Sequence, residues 1–189
     1  MKNEIEKYFD RASDNFLKLK NQSDEIIRAV NQIVGSFKSD NKLIFCGNGG
    51  SASDAQHLAA EFVGRYKKDR PALPAIAITT DTSALTAIGN DYGFEKIFSR
   101  QLSALGNSGD TLIAISTSGS SKNILKAIEE AKKRKISVIG LTGIKETMLS
   151  ELSDICIHAQ SDQTNHIQES HIAIGHLICE LVEKEILNV

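Results

Sequence analysis

Twice in this chain a short apolar run passes straight into a loop of small residues and then into a helical pattern. No other feature constrains the fold as much. The first copy is Lys42–Arg65, KLIFCGNGGSASDAQHLAAEFVGR. Leu43–Cys46 suits a buried strand and Gly47–Ser53 a loop, and the helix that follows carries His57 and Glu61. The second copy runs from Thr111–Ile115 through the hydroxyl-rich Ser116–Ser121 into a helix from Asn123 to Lys135. Each unit gathers backbone N–H groups and hydroxyls at a helix N-terminus, an arrangement that holds anions. His57 and Glu61, spaced i, i+4, stand one turn apart on one helix face and can both point at what the loop holds.

The remaining elements complete an alternating pattern. Residues 3–38 predict two helices, with apolar stripes at Ile5, Tyr8, Phe9, Phe16 and Leu19 and then at Ile26, Ile27, Val30, Ile33, Val34 and Phe37. Ser23 fits an N-cap for the second of them. Residues 1–40 are thus expected to pack on the main domain or on a sister subunit, within a single domain spanning residues 1–189. Further strands are expected at Ala75–Thr79, Ile136–Leu141 and Asp154–Ile157, with a turn at Gly89–Gly93 and a long last helix at Asn165–Leu187. Strands that alternate with helices and are apolar throughout predict a parallel sheet covered on both faces. The expected fold is a three-layer α-β-α sandwich with a five-stranded parallel sheet of flavodoxin-like order 2-1-3-4-5 and an N-terminal helical extension. That order sets the two polar loops side by side beyond the carboxyl ends of the strands, where such sheets bind ligands.

Composition narrows the function classes. A net charge of −2 provides no basic field for nucleic acid or an anionic membrane. The basic run Lys132–Lys135 sits at a helix end, where it complements the macrodipole. Cys46, Cys156 and Cys179 lie in apolar runs without CxxC spacing, as reduced core cysteines do. The charged N-terminus has no signal-peptide core, and no apolar stretch approaches the roughly 20 residues of a membrane helix. A soluble, cytoplasmic protein is expected.

The loops also narrow the ligand. Gly47, Gly49 and Gly50 do not make GxGxxG, so a dinucleotide is disfavoured, and no P-loop Lys follows. Four serines and a threonine within Ser116–Ser121 suit a phosphate, so a phosphorylated small molecule fits best. His166, His171 and His176 cluster with Gln168 and Glu169 early in the last helix. Imidazoles, a carboxylate and an amide oxygen suit a divalent metal such as zinc. Residues five or eight apart do not share one line on a helix turning roughly 100° per residue, so spacing leaves open which of these groups meet His57 and Glu61.

The stretches GNGGSASDAQHLAAEFVGR and ISTSGSSKNILKAI together resemble the loops of the sugar isomerase (SIS) domain family. With AIGNDYGFEKIFSRQL and HIQESHIAIGH added, the chain resembles the phosphoheptose isomerases of that family over nearly its whole length. The resemblance implies isomerisation of sedoheptulose 7-phosphate to D-glycero-D-manno-heptose 7-phosphate, the first step towards nucleotide-activated heptose for lipopolysaccharide or capsule. It implies a homotetramer with active sites between subunits and one zinc per subunit, held by His57, Glu61, Gln168 and His176. Glu61 and His176 would be the catalytic pair. Asn48, Gly49, Gly50, Ser51, Glu61, Gln168, Asn90 and Asp91 would line the sugar, Ser116, Thr117, Ser118 and Ser121 would hold the phosphate, and Arg65 would close the pocket as a charge partner. Asn165-His166 departs from the pattern, standing where an Asp/Ala-Arg pair often precedes IQE. The alternative is a non-catalytic SIS protein that binds a sugar phosphate or a protein partner such as a replication initiator. The presence of both Glu61 and His176 favours the enzyme.

Overall fold

A computed structural model describes residues 1–188. Its strands are β1 (Leu43–Gly47), β2 (Ala75–Ala77), β3 (Thr111–Ile115), β4 (Ser137–Thr142) and β5 (Ile155–His158). All neighbours pair in parallel, in the order β2-β1-β3-β4-β5 expected from the sequence. The helices are α1 (Lys2–Lys18), α2 (Ser23–Lys38), α3 (Gly50–Val63), α4 (Thr82–Tyr92), α5 (Ile97–Leu105), α6 (Lys122–Lys133), α7 (Met148–Leu152) and α8 (Thr164–Leu187). Among the described residues, no helix is long and apolar enough to cross a membrane.

The central strands are apolar on both faces because both faces are covered. Side chains alternate across a pleated strand, so Leu43 and Phe45 join Ile113, Ile115, Ile139 and Leu141 on one side, under α2, α3 and α8. Ile44, Cys46, Leu112, Ala114 and Val138 face the other side, under α5, α6 and α7. α3 therefore leaves β1 towards one face while α6 leaves β3 towards the other. The sheet opens where they part, at the paired ends Gly47 and Ile115, and this is the switch point at which such folds hold ligands.

The two N-terminal helices divide their work. α2 buries Ile26, Ala29, Val30, Ile33, Val34 and Phe37 in the first core cluster, whereas α1 buries none of its residues. Three local expectations are corrected. Ser23 is the first residue of α2 and not its cap: its hydroxyl donates to the Lys20 carbonyl, 2.7 Å away, instead of accepting from the helix. The turn expected over Gly89–Gly93 is confined to Gly93, whose φ of +87° ends α4. Gly89, Asn90, Asp91 and Tyr92 continue a helix that starts well, with Asp81 accepting from the Ala84 N–H at 2.9 Å. β2 is the third correction; it ends at Ala77, where the chain turns over residues 78–79 and the Thr80 hydroxyl donates back to the Ala77 carbonyl at 3.2 Å.

His171 docks α8 on β4. Its Nε2 lies 3.1 Å from the Thr142 carbonyl and so carries the hydrogen, while Nδ1 is buried without a partner. Burial pushes this imidazole down to about 4 from 6.5. Below pH 6.5 the unfolded chain therefore binds a proton that the folded one refuses. The contribution to stability is complete above pH 6.5 and is lost progressively as pH falls to about 4, by about 3 kcal/mol. Urea unfolding midpoints measured from pH 7 to pH 4 are expected to fall more steeply for the parent than for His171→Gln.

Candidate active site

α3 and α8 lie side by side on one sheet face, and their approach makes the site. A Cβ at Gly175 would come 2.5 Å from Leu58 Cδ1, so any larger residue there would have to displace the buried Leu58 side chain or part the two helices. His176, the next residue, is thereby brought to His57 across 119 residues of sequence, with the two Nε2 atoms 2.9 Å apart. Glu61 Oε1 lies 3.3 Å from the same His57 Nε2. The i, i+4 spacing on α3 and the Gly175 contact thus converge on one point. His57 is half exposed and Glu61 a quarter exposed, so the point faces solvent.

The donor set fits a metal ion. One atom each from His57, Glu61 and His176 lies within 4.8 Å of the others. A tetrahedral ion with bonds of about 2.0–2.1 Å separates its ligand atoms by about 3.3 Å, close to the spacings seen here. Gln168 is placed at the start of α3: a Cβ on Gly50 would fall 2.5 Å from its Nε2 and 2.9 Å from its Oε1. Asp54, one turn before His57, was not singled out from the sequence. Its Oδ2 is buried without a partner, and burial pushes its carboxyl up while His57 pulls it down.

The two loops meet as expected. Asn48 of the first and the buried Asn123 of α6 exchange two amide hydrogen bonds, at 2.9 and 2.8 Å, which tie the loops together. Asn123 was missed in the sequence because a lone Asn in the first turn of a helix has no distinctive pattern. Ser116 and Ser121 hydroxyls lie 3.2 Å apart, and Ser116 Oγ also accepts from the Gly119 N–H. No side chain caps α3 or α6; Ser51, Ala52 and Ile124 donate to the Asn48, Gly49 and Ser121 carbonyls, which leaves the outermost amides of these two ends facing the crevice. Asn48, Ser121 and Asn123 line a cavity of 650 Å³ with Tyr92 and Gly93. Thr117 and Ser118 line another, of 290 Å³, with Thr142, Lys145 and Thr147.

Other predicted residues make no hydrogen bond or ion pair with the trio. Asn90 and Asp91 are exposed at the end of α4, hydrogen-bonded to each other at 2.9 Å. Arg65 is exposed just past α3. The guanidinium that works at that helix end is Arg70, which donates to the carbonyls of Glu61 and Phe62 at 2.8 and 2.9 Å. Asn165 donates to Tyr8 Oη at 3.1 Å, Tyr8 in turn donates to Glu169, and His166 Nδ1 meets Glu169 at 2.8 Å. This departing pair therefore ties α1 to α8. Burial pushes the Glu169 carboxyl up, but the Tyr8 and His166 hydrogen bonds outweigh it and hold it below the ordinary range.

The family model described as a SIS domain matches residues 7–143. A phosphoheptose isomerase from Rhodospirillum rubrum is 54% identical over 183 residues, covering 97% of each chain. This chain belongs to the SIS domain family, in its phosphoheptose isomerase branch. The family match ends before α8, but the similarity to the Rhodospirillum protein spans nearly the whole SIS chain, the α8 half of the site included. Two solved structures share the architecture. A phosphoheptose isomerase from Neisseria gonorrhoeae superposes with a TM-score of 0.91 at 38% identity, covering 97% of this chain and 98% of the other. One from Francisella tularensis superposes with a TM-score of 0.93 at 38% identity, covering 96% and 97%.

Proposed function

We propose that this chain interconverts sedoheptulose 7-phosphate and D-glycero-D-manno-heptose 7-phosphate by aldose–ketose isomerisation. The observation that carries this is the meeting of Glu61 with His57 and His176 beside a crevice flanked by two loops suited to anions. The names of the relatives supply the sugar.

Ser116, Thr117, Ser118 and Ser121 hold the phosphate with the first amides of α6. Asn48, kept in place by Asn123, contacts the sugar with Gly49, Gly50, Ser51, Gln168, Asn90 and Asp91, and Arg65 closes over it. Moving a carbonyl between neighbouring carbons requires a proton to leave one carbon and return to the other through an enediolate. Glu61 has one oxygen turned to His57, which leaves the second for the carbon-bound proton. His176 exchanges the proton on the oxygens. His57, Glu61, Gln168 and His176 are the proposed zinc ligands, one ion per subunit. When bound, zinc supplies a Lewis-acidic charge to stabilise the developing oxyanion.

Assembly as a homotetramer with sites between subunits belongs to the same proposal. α1 supports it, because Ile5, Phe9, Phe16 and Leu17 are all exposed on a helix that buries nothing.

Formation of the aldose from sedoheptulose 7-phosphate by the purified, zinc-loaded chain is the direct test. No turnover in a protein that still binds the sugar phosphate would point to a non-catalytic SIS module. A finer result is expected from Asn123→Ala, which frees the Asn48 amide. Loss of one positioned hydrogen bond is worth about 0.5–1.5 kcal/mol, so KM is expected to rise about two- to tenfold with kcat little changed. Steady-state kinetics of the variant would check this.

A further inference from the structure

One buried ion pair beside the site has no role in the chemistry above. Arg70 Nε donates to Glu183 at 3.2 Å, and the two side chains are 1% and 3% exposed. Glu183 also accepts the backbone N–H groups of Tyr66, Lys67 and Lys68, at 3.2, 3.1 and 2.7 Å. Lys67 Nζ reaches Glu180 at 2.5 Å. His176, Glu180 and Glu183 are spaced i, i+4, i+7 and so share one stripe of α8. The segment after α3 is therefore fastened to the same stripe that carries His176. Its other anchor is the Arg70 guanidinium on the Glu61 and Phe62 carbonyls, where α3 ends.

Fastened this way, the segment lays the Tyr66 ring on the His176 imidazole, with centroids 5.6 Å apart and planes 20° from parallel. A helix determines where a histidine side chain begins, but the imidazole torsion is broad and roughly twofold, so its plane needs a neighbour to define it. Tyr66 is that neighbour on one side, and His57 meets the ring edge-on at 5.0 Å on another. An apolar contact could fasten a surface segment with less desolvation than a buried ion pair requires. The charged pair adds direction, because one carboxylate gathers three amides and a guanidinium that also grips α3.

We propose that Tyr66, held by the Glu183–Arg70 pair, is a positioning residue that sets the plane of the His176 ring so that Nε2 faces His57 and Glu61. This rests on the isomerase reading only for its effect on turnover; the effect on the ring does not depend on it.

The test uses the full chain with Tyr66→Phe, Tyr66→Ala and Glu183→Gln. In metal-free protein, carbon–proton spectra of the histidine rings are expected to place the His176 signals upfield, under the Tyr66 ring current. Tyr66→Ala is expected to move them downfield and Tyr66→Phe to leave them in place. Zinc affinity is expected to fall about tenfold in Tyr66→Ala, with an altered cobalt(II) d–d spectrum, and kcat to fall with KM little changed. Tyr66→Phe is expected to match the parent in each respect, and Glu183→Gln to follow Tyr66→Ala. If Glu183→Gln does not fold, the two Tyr66 variants decide alone. Parental His176 signals, metal affinity and kcat in Tyr66→Ala would overturn the proposal. So would a Tyr66→Phe variant as impaired as Tyr66→Ala, since the hydroxyl and not the ring would then be what matters. Loss of the through-space proton contacts between the His176 and His57 rings in Tyr66→Ala, from a parent that neither turns over nor binds metal, would uphold the positioning role and remove the isomerase reading.

Discussion

Glu61→Gln is expected to lower kcat by about 10³-fold, within the range that a positioned acid/base group supplies. The amide keeps the volume of the side chain and its place one turn after His57 but takes up no proton. Binding of the sugar phosphate is expected to survive, because the proposed phosphate contacts lie on the Ser116–Ser121 loop, a different element. Turnover and sugar-phosphate binding are to be measured together on the variant, with its metal content, because Glu61 is also a proposed ligand. Near-parental turnover would sink the assignment of Glu61 as the proton carrier.

The second large effect is expected on removal of metal. Chelation should lower turnover about 10³-fold, the rate equivalent of about 4 kcal/mol of transition-state charge stabilisation. Zinc added back in stoichiometric amount should restore it in the parent and not in His57→Ala, which loses one of the three clustered donors. His57 is the better choice for this comparison because it has no proposed part in proton transfer. Turnover that ignores chelation would keep the isomerase and discard the metal.

The two predictions rest on different kinds of information. Glu61 and His57 were legible as a pair from their i, i+4 spacing after a strand and a small-residue loop, because helical periodicity is a local property of the chain. The same local logic located the five strands to within a residue or two. The strand order came from a different consideration, that β1 and β3 must lie side by side for their two polar loops to face one crevice. The local logic failed where local signals compete. Gly89–Gly93 carries turn residues, yet the Asp81 cap and the following helical stretch carry α4 through to Tyr92, and only the positive φ of Gly93 stops it.

No local pattern could show which side chains from distant elements meet. By spacing alone His166, His171 and His176 looked alike, and α8 gives each a different neighbour: Glu169 and Tyr8 for the first, the Thr142 carbonyl for the second, His57 for the third. Arg70, not singled out in the sequence, anchors the end of α3 because the Glu183 carboxylate, 113 residues away, is there to receive it. The sequence by itself determined the layers and the two anion-suited loops, since these follow from periodicity and turn chemistry along the chain. Spacing along the chain left open which histidine joins His57 and Glu61, and only the resemblance pointed to His176; the tertiary structure gives the physical reason, because α3 and α8 pack closely where Gly175 has no side chain to meet Leu58.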